Sequence, residues 1–204
     1  MARFDSPFVG SEAVVAGAIR KHELRSRYFA VFPDVYLEKD AVPTLHQRAK
    51  AGWLWSHRQG VIAGLTASAL HGAKWVDDAA PVELIWPNAR PAMGLRIYDY
   101  RLRTDEFGGF DGMRITTVAR TGFDIARRRP LDAAIANLDA LGSATGLQTP
   151  DILRIAREHR GARGRRQLAK VLDLYDPGAA SPKETWLRLL VIRNDYPRPG
   201  PRFQ

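Results

Sequence analysis

The sequence predicts an α+β fold, and three observations support that prediction. Segments with the 3.6-residue period of an amphipathic helix outnumber the short, alternating segments that are typical of strands. The 204 residues are 45% hydrophobic, a fraction that is normal for a folded domain and argues against disorder. Turn signals rich in Gly, Pro and Asp separate these segments. A chain of this length holds one domain and a small second one.

Residues 1–40 predict a reduced winged helix-turn-helix. Ser11 caps a helix that runs through Ile19, and a short basic helix follows over residues 20–27. Two runs rich in β-branched and aromatic residues then flank a Pro-Asp turn and predict a hairpin. Helix, basic helix and hairpin follow one another as in a winged helix-turn-helix. The usual first helix is missing, or degenerate at the N-terminus.

Residues 41–177 are predicted to form a mixed α/β body. Thr44 caps a helix with the 3.6-residue apolar period, and a short buried helix is expected over residues 65–71. Alternation and turn signals predict three strands, at residues 81–86, 95–98 and 113–115. Four helices follow, which begin at Thr117, Pro130, Thr149 and Gly164.

The last predicted helix begins at Ser181 and follows a short linker of Asp, Pro, Gly and Ala. Ser181 is a suitable N-cap, and Glu184 stands at the position of a capping box. Apolar residues of this helix, among them Trp186, Leu187 and Leu190, need a surface to pack on, and only a proline-rich tail follows. We therefore expect residues 178–204 to be the truncated opening of a further domain.

The charge of the chain favours a polyanionic partner. The formal net charge is +9, and most of the excess is arginine, which suits bidentate contacts to phosphate. The alternative is a basic protein whose arginine content carries no function. The absence of cysteine excludes disulfides and thiolate zinc sites, and no apolar run is long enough to span a membrane. We expect a cytoplasmic protein without a metal site, a cofactor or a membrane partner.

Two basic segments are the candidate DNA-binding sites. The first basic segment lies on or beside the second helix and consists of Arg20, Lys21, Arg25 and Arg27. In a helix-turn-helix the second helix enters the major groove, where arginine recognises guanine edges. The second basic segment is denser and consists of Arg154, Arg157, Arg160, Arg163, Arg165, Arg166 and Lys170. It suits phosphate neutralisation or an acidic partner protein. For both segments the alternative is a solvated helix face.

Other conspicuous residues have structural interpretations. The histidines lack the spacing of a metal site, and His71 is expected to be a hydrogen-bonded core residue. Paired acids at Asp77 and Asp78 are expected to face solvent. Core or interface positions are expected for Trp53, Trp55, Trp75 and Trp86.

Four stretches carry a resemblance to a known family. The two longest are TLHQRAKAGWLW at residues 44–55 and AGLTASALHGAKW at residues 63–75, and the others are residues 81–85 and 115–124. Together they resemble the AbiEi-family antitoxins of type IV toxin–antitoxin systems in actinobacteria. The resemblance implies an N-terminal winged helix that binds promoter DNA and a C-terminal part that opposes a toxin or aids repression. Double-stranded DNA and a cognate toxin are therefore the expected partners.

The segment SPKETWLR also resembles the place where many members continue into a PD-(D/E)XK domain similar to very-short-patch repair endonucleases. By that resemblance Glu184 corresponds to the first acidic position, and the later acidic positions have no counterpart in this chain. One glutamate cannot hold a catalytic Mg²⁺, so we expect no enzymatic activity. The leading hypothesis is a DNA-binding antitoxin or autorepressor. Its alternatives are an endonuclease with a truncated catalytic core and a basic protein-interaction module.

Overall fold

The computed structural model describes residues 6–87, 90–179 and 181–194. Helices and two β-sheets alternate along these residues, so the predicted α+β class is confirmed. The chain forms two compact units. The first contains Met1–Thr66 and Asp77–Ile115, and the second contains Ala67–Val76 and Thr116–Gln204.

The first unit begins with a three-stranded sheet and two short helices. In chain order the elements are β1 (Phe8–Val9), α1 (Gly10–Val15), α2 (Lys21–Arg27), β2 (Tyr28–Phe32) and β3 (Val35–Glu38). The strand order is β1-β3-β2, and both pairings are antiparallel. Phe8, Leu24 and Tyr28 are buried in one small core that joins β1, α2 and β2. The predicted basic helix and the predicted hairpin are confirmed.

Helix α1 differs from the prediction at both ends. It ends at Val15 rather than Ile19, and Gly17 follows with a left-handed φ of 69°, which breaks the helix. The predicted cap at Ser11 is also wrong, because the N-cap residue is Val9. The Ser11 hydroxyl instead donates to the Asp34 carboxylate over 2.5 Å. Any first helix before β1 would fall largely on residues 1–5, which lie outside the described residues.

The first unit also contains most of a five-stranded sheet. Its strands are β4 (Val61–Ile62), β5 (Val82–Ile85), β6 (Leu95–Tyr98), β7 (Phe107–Phe110) and β8 (Met113–Thr116), in the order β6-β5-β4-β8-β7. Strand β4 pairs antiparallel with β5 and parallel with β8, and β5 pairs parallel with β6. Three of these strands were predicted, whereas β4 and β7 were not. The predicted loop between β5 and β6 includes residues 88–89, which are not described.

Helix α3 (Leu45–Trp55) packs on β5 and on the strands of the three-stranded sheet. Thr44 caps α3 as predicted, because its hydroxyl accepts the Gln47 N–H over 3.2 Å. A short helix, α4 (Gly64–Leu70), follows β4, and the limit between the two units falls within it. Trp75 was predicted to lie in the core or at an interface; it is 62% exposed, so the core alternative is wrong and the interface alternative stays a prediction.

The described part of the second unit is mainly helical. Its long helices are α5 (Val118–Arg128), α6 (Leu131–Thr145), α7 (Thr149–Glu158), α8 (Arg165–Leu174) and α9 (Pro182–Arg193). Helix α5 is central and packs on α6, α7 and α8. Phe123, Leu138 and Ile152 are fully buried among these helices. The start of α5 after Thr117 is as predicted, and His71 Nε2 lies 2.8 Å from the Thr116 carbonyl oxygen, which confirms a hydrogen-bonded histidine.

Helix α9 packs on α6 through one face. Thr185 and Leu189 are buried, and Arg188 donates to the buried Asp139 carboxylate of α6 over 2.7 Å. The other face stays open, as predicted. Its exposed apolar residues are Trp186, Leu187 and Leu190.

Candidate nucleic-acid interface

The first basic segment forms the solvent side of α2. Arg20, Lys21 and Arg25 are exposed, and Leu24 on the opposite side is buried. The helix start is held by the Arg20 N–H, which donates to the Glu23 carboxylate over 2.8 Å. This hydrogen bond is the main cause that lowers the pKa of Glu23. The three exposed cations are therefore carried on a helix whose start and inner face are both fixed.

Arg27 differs from the other three residues of the first basic segment. It is half-buried, its Nη1 lies 3.8 Å from Glu23, and its guanidinium lies 5.7 Å from the centre of the Tyr28 ring. The cation is engaged by the protein at the junction of α2 and β2. The prediction that Arg27 contacts DNA therefore has less geometric support than the same prediction for Arg25.

The hairpin β2–β3 follows α2 without a connecting residue. Tyr28 is both the C-cap of α2 and the first residue of β2, and its ring is buried. Asp34 in the turn has a φ of 60° and accepts two hydrogen bonds from Ser11. The sequence from Tyr28 to Glu38 contains no lysine or arginine. The cationic side chains of this region therefore lie on or beside α2 rather than on the hairpin strands.

The second basic segment lies on α7, on α8 and on the turn that joins them. All of its members are exposed: Arg154, Arg157, Arg160, Arg163, Arg165, Arg166 and Lys170. Arg165 has a structural role, because its Nη1 donates to the carbonyl oxygens of Ala156 and His159 at the end of α7, over 2.5 and 3.3 Å. In the described part of the chain, the side chains of Arg157, Arg160, Arg166 and Lys170 have no carboxylate partner.

A buried ionic cluster on α5 lies next to the turn that carries part of the second basic segment. Asp124 is fully buried, and its carboxylate lies 2.9 Å from Arg120 Nε, 2.7 Å from Arg127 Nη2 and 3.6 Å from Arg128 Nη2. Burial alone would raise the pKa of Asp124, but the three guanidinium groups outweigh it and hold that pKa below its usual value. The cluster therefore contains an ionised aspartate surrounded by arginines.

The cluster reaches the turn between α7 and α8 by two contacts. Arg120 Nη1 donates to His159 Nε2 over 3.2 Å, and Arg127 Nη1 donates to the Arg163 carbonyl oxygen over 3.3 Å. Gly164 has a φ of 84°, and a Cβ there would stand 2.1 Å from the Arg127 carbonyl oxygen. Only glycine fits this turn, so the backbone that carries the second basic segment is fixed.

The two basic segments belong to different compact units, and each is a candidate interface by itself. Sequence reasoning located both but missed the cluster around Asp124. The available signal was the spacing of Arg120, Arg127 and Arg128 at i−4, i+3 and i+4 from Asp124, which places them on one side of a helix.

The backbone of Glu184 takes part in the N-terminal cap of α9. Its N–H donates to Ser181 Oγ over 3.3 Å, which confirms the predicted cap of α9. Within the described ranges, no group of three or more histidines and carboxylates is placed to hold a metal ion.

In the same ranges no helix has both the length and the apolar character that are needed to cross a membrane. No protein-family model matches the sequence, and no curated protein is significantly similar to it.

Proposed function

We propose that this chain is a DNA-binding regulator that represses its own promoter, with α2 as the helix that enters the major groove. The observation that carries the proposal is the exposed pair Lys21 and Arg25 on α2, with the exposed Arg20 at its N-cap, directly before a hairpin. The order β1-α1-α2-β2-β3, with the sheet order β1-β3-β2, supports a reduced winged helix-turn-helix. Arginine and lysine on such a helix suit guanine edges and phosphates.

The second basic segment supports a second, less specific contact. Its side chains are long, exposed cations on a backbone that Gly164 and the Asp124 cluster hold in place. Such a surface binds phosphates irrespective of base sequence, and each neutralised phosphate steepens the dependence of affinity on salt. An acidic protein surface is the competing partner for this segment.

The antitoxin role rests on the resemblance to AbiEi-family proteins. A gene for a nucleotidyltransferase-like toxin next to this gene would support it. Co-expression of this chain with that neighbour should restore growth, and the chain should repress a reporter behind its own promoter. Repression without rescue would leave a regulator that is not an antitoxin.

We expect the double substitution Lys21→Ala/Arg25→Ala to weaken specific binding to the chain's own promoter DNA. Each base contact that is removed should cost about 1–3 kcal/mol, so the affinity should fall at least tenfold. Fluorescence anisotropy with labelled promoter DNA measures this. Arg96→Ala is the matched control, because Arg96 is an exposed cation on β6, outside the first basic segment. An unmodified chain that shows no salt-dependent binding would contradict the proposal.

Charge reversal in the second basic segment should weaken binding to every DNA sequence equally. We expect Arg160→Glu/Arg166→Glu to flatten the slope of log affinity against log salt by about 0.9 for each phosphate that the segment no longer neutralises. Titration of random-sequence and promoter duplexes at several salt concentrations measures this. An unchanged slope together with lost binding of an acidic protein would assign the segment to protein interaction.

A further inference from the structure

A cavity of about 340 Å³ lies within the first unit, and neither DNA contact uses it. Its walls come from β1, the start of α1, the hairpin turn, the end of α3 and the residue after β5. This volume is within the range of small-molecule sites, which begins near 300 Å³. Residues distant in sequence thus surround a space of ligand size.

One wall of the cavity is aromatic. The rings of Trp55 and Trp86 meet edge to face, with centroids 5.3 Å apart and an interplanar angle of 86°. The His57 ring lies 6.2 Å from that of Trp86. Indole faces attract cations more strongly than other aromatic side chains do.

The polar wall carries more negative than positive charge. Glu12 and Arg58 form a bidentate pair, with Nη–Oε distances of 2.7 and 2.6 Å. The hydrogen bond from Arg58 is the main cause that lowers the pKa of Glu12, so this carboxylate stays ionised. Asp34 adds a second carboxylate, and Ser11 donates to both of its oxygens. Two carboxylates face one guanidinium that is already paired, in a chain whose total charge is +9.

The backbone around the cavity is strained. Asp34, His57 and Arg58 have φ values of 60°, 54° and 63°. Five non-glycine residues in the described ranges have positive φ, and these three line this one cavity. Such conformations are unfavourable for residues that carry a Cβ, and they cluster at ligand sites.

We propose that the cavity binds a small organic cation, such as a quaternary or primary ammonium compound. Its alkyl groups lie against Trp55 and Trp86, and its charge lies near the carboxylates of Glu12 and Asp34. An anion is disfavoured, because Arg58 already uses two donors on Glu12 and the remaining charge of the wall is negative. This site is separate from the proposed DNA contact, so either proposal can fail without the other.

The experiment uses choline as the probe and 3,3-dimethyl-1-butanol as its neutral isostere, which has the same shape without the charge. We expect saturable calorimetric binding of choline at millimolar concentration, and at least tenfold weaker binding of the alcohol. In two-dimensional NMR spectra, the indole signals of Trp55 and Trp86 should shift with choline, whereas that of Trp186 should not. Equal affinity for the two compounds, tighter binding of benzoate, or no saturable choline binding would overturn the proposal.

Two variants separate the aromatic wall from the charged wall. We expect Trp86→Leu to weaken choline binding about tenfold, and Trp186→Leu to leave it unchanged because Trp186 lies on α9 outside the cavity. Glu12→Gln removes one charge from the rim and should also weaken binding of choline but not of the alcohol. Because Glu12 is exposed, this variant keeps the test decisive if Trp86→Leu does not fold. Unchanged choline affinity in Glu12→Gln would contradict the assignment of the charged wall.

Discussion

Asp124→Ala should lower the free energy of unfolding by about 3–5 kcal/mol, because it leaves buried guanidinium groups without their common counter-charge. Arg120 and Arg127 are buried on either side of Asp124. Urea unfolding followed by circular dichroism measures the change. Asp132→Ala is the matched control, since Asp132 pairs with Arg193 at the surface and should cost less than about 1 kcal/mol. If both substitutions lowered the free energy of unfolding by a similar amount, the prediction that the Asp124 cluster stabilises the fold would be contradicted.

The pKa of Asp124 gives the same prediction a dependence on pH. The pKa of Asp124 in the folded state lies below its unfolded value of about 3.9. Between these two pKa values the unfolded state therefore binds more protons than the folded state. The stabilisation is therefore present above the unfolded pKa and is lost as the pH falls through the folded pKa. Asp124→Asn should remove this part of the acid destabilisation.

Asp139→Ala should release α9 from α6. The carboxylate of Asp139 accepts hydrogen bonds from the Asp176 N–H over 2.8 Å, Thr185 Oγ over 2.7 Å and Arg188 Nη2 over 2.7 Å. Loss of these charged hydrogen bonds should lower the free energy that holds α9 on α6 by about 2–4 kcal/mol. Hydrogen exchange measures it, because the amides of α9 should lose protection before those of α5.

Arg193→Ala is the control on the same helix, because it removes only the exposed pair with Asp132 and should leave the protection of α9 nearly unchanged. If Asp139→Ala also left that protection unchanged, the apolar contact of Leu189 would be what holds α9.

Asp139 should act on stability in the opposite direction to Asp124 as the pH changes. Burial is the main cause that raises the pKa of Asp139, although the donors from Asp176, Thr185 and Arg188 lower it in part. The folded state therefore binds more protons than the unfolded state. The contribution of Asp139 to stability is fully present below its unfolded pKa, and it is lost as the pH rises through its folded pKa.

The elements that the sequence predicted correctly depend on neighbours within a few residues. Thr44, Thr117 and Ser181 cap their helices through N–H groups three residues further along. The hairpin likewise follows from a Pro-Asp turn between two β-rich runs. By contrast, β4 has only two residues and β7 is half glycine, so neither has a detectable pattern of its own. They are strands because neighbouring strands pair with them.

The sequence could predict which side chains of the candidate sites are exposed, because charged side chains are usually exposed to solvent. Arginine and lysine stay in water unless they are paired, so most members of both basic segments are exposed as expected. Sequence could not show that Arg165 closes the end of α7, because that role depends on how the turn between α7 and α8 folds. The cavity was missed for the same reason, since Glu12 and Arg58 are 46 residues apart.

The direct passage from α2 into β2 at Tyr28 restricts how this chain can evolve. Side chains of a strand alternate between its two faces, so one inserted or deleted residue at this junction would exchange the inward and outward faces of β2. Before the register shift between Ala30 and Phe32, the buried Tyr28 would turn outward and the half-buried Phe29 would turn inward. Related sequences can therefore vary in residue type along residues 20–32, but their number of residues there should stay constant.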